Sequence, residues 1–186
     1  MQHPQSECFA MRVRTLALTA LAALLPRLVV AQANPVADAF RADARDEAKK
    51  LIAAAETMPA DKYSFKPTPA QMSFGEIVAH LAGGNDYFCG TLTGTKAPER
   101  TKVDPTASKE TLVARLKETF QFCDEALVKL DDSKLTEQLP FFGGRMVSRA
   151  SMILITTADW ADHYSQSAIY LRLNGHLPPT AKKPAP

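Results

Sequence analysis

The chain of 186 residues is long enough for one domain with a real core, and its 46% hydrophobic and 23% charged residues fit a soluble globular protein. Its formal net charge of +2 resides in the first 33 residues: removing Arg12, Arg14, Arg27 and Glu7 from 22 basic and 20 acidic side chains leaves 19 of each. The neutral remainder has no basic stripe to neutralise phosphates, so nucleic acid is excluded as a partner class.

The N-terminal segment reads as an export signal. Thr15 to Leu25 is an uncharged Ala/Leu-rich run, preceded by Arg12 and Arg14, ended by Pro26 and Arg27, and too short to span a bilayer. Ala31-Gln32-Ala33 has the small-residue cleavage pattern. The mature chain is therefore expected to start at Asn34, to be periplasmic or secreted, and to keep no membrane attachment after cleavage. A retained N-terminal helix is the alternative reading.

From Val36, the apolar positions Val36, Phe40, Ala44, Leu51 and Ala55 recur at helical spacing between charged residues, predicting an amphipathic helix to about Thr57. Met58-Pro59 ends it, and Ala60 to Gln71, with Pro67 and Pro69, reads as an extended loop packed on the bundle. Ser73 and Glu76 stand at capping-box spacing, so a second helix is expected from Ser73 through Leu92. Gly83-Gly84 in its middle costs about 2 kcal/mol against two alanines, which suggests close approach of a neighbouring helix or of a ligand there, or mere tolerance.

Leu112, Leu116, Phe120, Cys123, Leu127 and Leu130 predict a third helix from about Ser108, stopped by Asp131-Asp132-Ser133. Phe141 to Arg145 reads as a turn between short extended pieces. A fourth helix runs from Ser148 to Asn174, ended by Gly175 and Pro178-Pro179. The expected fold is all-α, a four-helix bundle over residues 34–180, with connections too long for a simple up-down hairpin stack and a disordered tail at 181–186. Of the three cysteines, Cys8 falls in the export segment. Cys89 and Cys123 lie on two different helices and either pair in an oxidising compartment or stay as two buried thiols.

Past the export segment three histidines remain, His80, His163 and His176. Asp159 and His163 are four apart on the fourth helix and share a face. His80, midway along the second helix, can be presented to that face inside a bundle. His176 lies past the terminating glycine, roughly 20 Å along the axis from His163, and is left out. Two neutral imidazoles and a carboxylate make a three-ligand site with an open position for water or substrate, suited to one divalent ion such as zinc, nickel, iron or manganese. Spacing alone favours hydrogen-bonded packing histidines over a metal site.

The blocks Met58-Pro59-Ala60-Asp61-Lys62-Tyr63-Ser64-Phe65-Lys66-Pro67-Thr68-Pro69, Ser73-Phe74-Gly75-Glu76-Ile77-Val78-Ala79-His80-Leu81-Ala82, and His163-Tyr164-Ser165-Gln166 with Tyr170-Leu171-Arg172-Leu173-Asn174-Gly175 resemble the DinB/YfiT-like superfamily. The resemblance spans about residues 36–180. It implies a four-helix bundle and a divalent metal held by three histidines, one on the second helix and a His-x-x-x-His pair on the last. Here His80 and His163 match, and Asp159 stands where the first histidine of the pair is expected. It further implies a metal-dependent enzyme acting on a small-molecule substrate by transferase- or hydrolase-like chemistry. Low-molecular-weight thiols used by such transferases are mainly cytosolic, which weakens that branch for an exported chain. The alternative is a non-enzymatic exported binding protein whose metal is structural or absent. Gly84, Tyr87 and Gln166 are expected to line the open side of the metal, with ordinary packing as the competing account; no general base is assigned. The sequence is compatible with a homodimer and does not fix the oligomeric state.

Overall fold

The computed structural model describes residues 33–181. Residues 1–32, on which the expected export signal falls, and residues 182–186 lie outside that range. Four helices carry the fold: α1 (Pro35–Thr57), α2 (Phe74–Thr93), α3 (Lys109–Leu127) and α4 (Arg149–Leu173). A two-stranded hairpin, β1 (Gln138–Pro140) and β2 (Met146–Ser148), joins α3 to α4. Its antiparallel register sets Leu139 opposite Val147, and Gly143 and Gly144 close the turn at positive φ, 68° and 73°. Among the described residues no helix is long and apolar enough to cross a membrane.

Each helix begins where side-chain chemistry can satisfy its free amides. Ser73 accepts from Glu76 N and the Glu76 carboxylate accepts from Ser73 N, a complete capping box at the head of α2. Ser108 and Ser148 cap α3 and α4 in the simpler way. The head of α1 has no local cap of this kind. Asp132, in a 3-10 turn after α3, instead accepts from Val36 N and Ala37 N at 2.9 and 2.8 Å. A carboxylate at a helix N-terminus is favoured by both hydrogen bonding and the helix dipole, and here it also ties α1 to the segment following α3.

Of the consecutive helix pairs only α2 and α3 are neighbours. α1 packs on α3 and α4, α2 packs on α3 and α4, and the pairs α1/α2 and α3/α4 face each other diagonally. This is the arrangement that long connections permit and a hairpin stack does not. The first connection is more ordered than an extended loop. Residues Ala60–Lys62 form a 3-10 turn, Tyr63 donates to Ala55 O, and Gly75 N donates to Tyr63 O. A Cβ at Gly75 would meet Pro105 O at 2.5 Å, so this glycine is required by the contact between the head of α2 and the connection that follows α2. α3 ends at Leu127, short of Leu130, because Asp132–Lys134 turns to cap α1. At the other end Thr180 belongs to a 3-10 turn, Pro179–Ala181, and hydrogen-bonds Tyr164, so order extends to Ala181 and the tail that was expected to be disordered from 181 is folded at that residue.

Trp160 sits at the centre, fully buried, with Phe40 of α1 and Phe120 of α3 each 5.8 Å away between ring centroids. Its indole N–H donates at 2.8 Å to Asn85 Oδ1 of α2, and Asn85 in turn donates to Thr119 Oγ1 of α3. Both polar groups are thereby satisfied inside the core.

Cys89 and Cys123 are paired in a buried disulfide joining α2 to α3 across a sequence separation of 34 residues. Closing a loop of that size contributes about 2–4 kcal/mol, chiefly by restricting the unfolded chain. Replacing both cysteines by alanine is expected to lower the denaturation midpoint by a corresponding amount. Reductant should destabilise the parent toward the same value and leave the double variant unchanged, as read by circular dichroism in a denaturant titration.

Candidate metal centre

The seam between α2 and α4 carries the chemistry that the sequence pointed to. The capping box fixes where α2 starts, and the Asn85–Trp160 hydrogen bond fixes its height against α4. With that register set, His80 of α2 stands beside Asp159 and His163 of α4. One donor atom from each of the three lies within 4.8 Å of the other two. His80 Nε2 is 3.7 Å from Asp159 Oδ1, and the two imidazole rings stack with centroids 4.7 Å apart.

The three side chains differ in burial. His163 is buried, Asp159 is intermediate and His80 is half-exposed, so the cluster opens outward from the bundle on the His80 side. His163 Nδ1 lies 2.7 Å from the Asp159 backbone carbonyl. A carbonyl can only accept, so Nδ1 is the donor and, in the neutral ring, Nε2 is the nitrogen left to ligate. This is how protein metal sites orient a ligating imidazole. Asp159 Oδ2 is buried with no hydrogen-bond partner, a costly state for a carboxylate oxygen that a cation would relieve. Two nitrogen donors and a carboxylate, one of its oxygens unpartnered, are chemically suited to a divalent ion.

A cavity of about 710 Å³ adjoins the cluster. His80, Gly83, Gly84 and Tyr87 of α2 form one wall, with the connection between α2 and α3 and Phe142 of the hairpin opposite. Gly84 and Tyr87, expected to line the open side of a metal, line this cavity. Gln166 does not: its amide donates to Asp162 Oδ2 on the surface of α4, and it takes no part in lining this cavity. Seven residues past Asp159, it keeps nearly that residue's azimuth but lies about 10 Å farther along the axis of α4. His176 lies beyond the end of α4 and outside the cluster. Sequence reasoning missed Asn85, whose signal was a lone carboxamide in an apolar helix, and Phe142, which reaches the cavity only because the hairpin folds over α2.

The DinB superfamily profile matches residues 43–167. The chain belongs to the DinB superfamily. No curated protein sequence matches it. Among solved structures it is similar to a DinB-like protein from Bacillus subtilis, at 20% identity with a TM-score of 0.60, covering 74% of this chain and 92% of that one. A DinB-like protein from Bacillus cereus gives 20% identity and a TM-score of 0.64, covering 76% and 95%. A variant of a mycothiol-dependent maleylpyruvate isomerase gives 11% identity and a TM-score of 0.57, covering 69% of this chain and 59% of that one. These likenesses show that the bundle is the DinB-like fold.

The Asp159 carboxylate, 3.7 Å from the ring, holds the pKa of His80 above the ordinary 6.5, while partial burial works the other way. A histidine whose folded pKa is raised adds stability that is fully present below its unfolded value and is lost as pH rises through the folded value. The metal-free protein is therefore expected to lose stability as pH climbs from 6.5 through the raised pKa of His80. Asp159→Asn should remove that loss, which thermal melts in chelator across the range will show.

Proposed function

We propose that this DinB-superfamily protein is exported and binds one divalent metal ion through His80, Asp159 and His163, and that it acts as a metal-dependent enzyme on a small molecule. The observation that carries the reading is the cluster itself: two imidazoles and a carboxylate with an orphaned buried oxygen, drawn from two helices and opening onto a cavity. Zinc, nickel, iron and manganese all suit this donor set. A metal with an open coordination position supplies Lewis acidity, polarising a bound carbonyl or lowering the pKa of a bound water or thiol. The chain's own residues hold the ligand geometry. His163 is oriented by the Asp159 carbonyl, Asp159 supplies the negative charge, and His80 stands at the mouth where substrate enters.

Export is supported by the N-terminal pattern of Arg12, Arg14, the apolar run and Ala31-Gln32-Ala33, and by the Cys89–Cys123 pairing, since disulfides persist in oxidising compartments. The chemistry of the similar isomerase, which depends on a thiol, is one candidate for this chain. A purely structural metal is disfavoured because the core closes around Trp160 without help from the cluster. Chelation should accordingly leave the helical signal intact.

The test is calorimetric titration of the metal-free protein with zinc. One ion is expected per chain, with at least a tenfold loss of affinity in His80→Ala, Asp159→Ala and His163→Ala and none in His176→Ala. Affinity should fall as pH drops, because both histidines must be neutral to ligate and Asp159 raises the pKa at which His80 gains its competing proton. Parent-like titration by all four variants would show that the histidines are packing residues.

A further inference from the structure

The cavity beside His80 has a charge balance and a wall shape that point to its occupant. Of the acidic groups around it, Asp86 is paired with Arg100 at 2.6 Å, and Glu76 is held by the helix cap and by Lys66 at 2.9 Å. Arg115 is in turn satisfied by Glu118 at 3.2 Å and by the Thr101 carbonyl. Lys102, which lines the same cavity, forms no ion pair or side-chain hydrogen bond among the described residues. One cation thus faces the cavity without a counter-charge.

The α2 wall is shaped by absence of side chain. A Cβ built at Gly83 would meet nothing within 4 Å, and one at Gly84 would touch only the Phe88 ring at 3.8 Å or more. No neighbouring helix comes close enough to require glycine at either position. Both are mid-helix, where alanine is the more stable choice, and both face the cavity. Beyond them, Tyr87 stacks on Phe142 at 4.4 Å between centroids and donates to Pro140 O, so the hairpin is pinned as an aromatic cover. His80 and Tyr87 are seven residues apart, which gives the smooth wall a length of about 10 Å. A volume of about 710 Å³ lies in the range of small-molecule sites.

We propose that this cavity receives an organic anion with a flat apolar body, laid along Gly83 and Gly84 beside the Tyr87–Phe142 pair, its acidic group paired with Lys102. The proposal deepens the metal reading by naming the ligand class, and rests on it only for the end of the molecule that meets His80. Lys102 and the bare glycine wall would then act as specificity determinants, the first selecting charge and the second admitting a planar group against the helix backbone.

The probe is 1-anilinonaphthalene-8-sulfonate, an aromatic anion, with N-phenyl-1-naphthylamine as the uncharged analogue of the same shape. Fluorescence titration of the full folded chain should show the anion binding at least tenfold more tightly than the neutral dye. Lys102→Gln should abolish that preference. Gly83→Leu should weaken both dyes at least tenfold by filling the wall, whereas Gly83→Ala should raise the melting temperature and weaken the anion severalfold. The raised melting temperature separates blocked binding from misfolding. Failure of the parent to bind the anion, or parent-like binding in Gly83→Leu and Lys102→Gln, would overturn the proposal. Zinc titration of the same proteins keeps the two readings apart: if the dye results hold and no variant or parent binds zinc, the metal reading fails and the anion site stands.

Discussion

All four helices meet at one side chain. Trp160 stacks on Phe40 from α1, packs beside Phe120 from α3, and gives its indole proton to Asn85 from α2. Apolar packing would tolerate some axial sliding between α2 and α4, but a buried donor and a buried acceptor do not. An unmade hydrogen bond there leaves a desolvated polar group at about 1–3 kcal/mol. The register is therefore quantised by Asn85, and the consequences are local. Asp159 is the residue next to Trp160, and His80 is five residues before Asn85. The same bond that fixes the core heights brings two imidazoles and a carboxylate level with one another across the seam.

The polar cluster itself is built on frustration that the core does not relieve. Asp159 Oδ2 is buried without a partner, although Asp159's other oxygen lies within 4 Å of both histidines. In a protein selected only for stability, a threonine or an apolar residue would avoid this. The glycines on the cavity wall violate helix propensity in the same neighbourhood, again with no packing reason. Locally unfavourable choices are concentrated around this one seam, in a chain whose caps and core are otherwise consistent.

Much of this was legible in the residue pattern. Helix periods, the Ser73/Glu76 capping box and the Gly175 terminator put every helix boundary within a few residues, because each signal is local. His80, Asp159 and His163 were legible as candidates because histidine is scarce and their spacing on helices is geometric. What stayed hidden was long-range. Nothing near Asp132 announces that it caps α1 from 96 residues away, and that role shortens α3. Gln166 shares a nominal helix face with His163, yet its amide is taken up by Asp162 on the same helix and it does not line the cavity. Phe142 sits in a turn whose place over α2 depends on the hairpin, and the disulfide depended on which faces of α2 and α3 would meet.

That disulfide explains how α2 can serve two purposes. Cys89 lies nine residues from His80, half a rotation around the helix, so the covalent tie and the metal-ligand candidate occupy opposite sides of α2. The α2/α3 seam is buried and cross-linked, and its polar pair Asn85–Thr119 is satisfied within it. The α2/α4 seam is polar, partly open and strained. Holding α2 rigidly from behind means that the side chains in front need not contribute to stability, and a half-exposed histidine, an unpaired carboxylate oxygen and two bare glycines can persist there. The rigid seam is what permits the open one: with its backbone positioned by the disulfide and by Asn85, α2 can present His80 and the glycine wall to a ligand without having to fold around it.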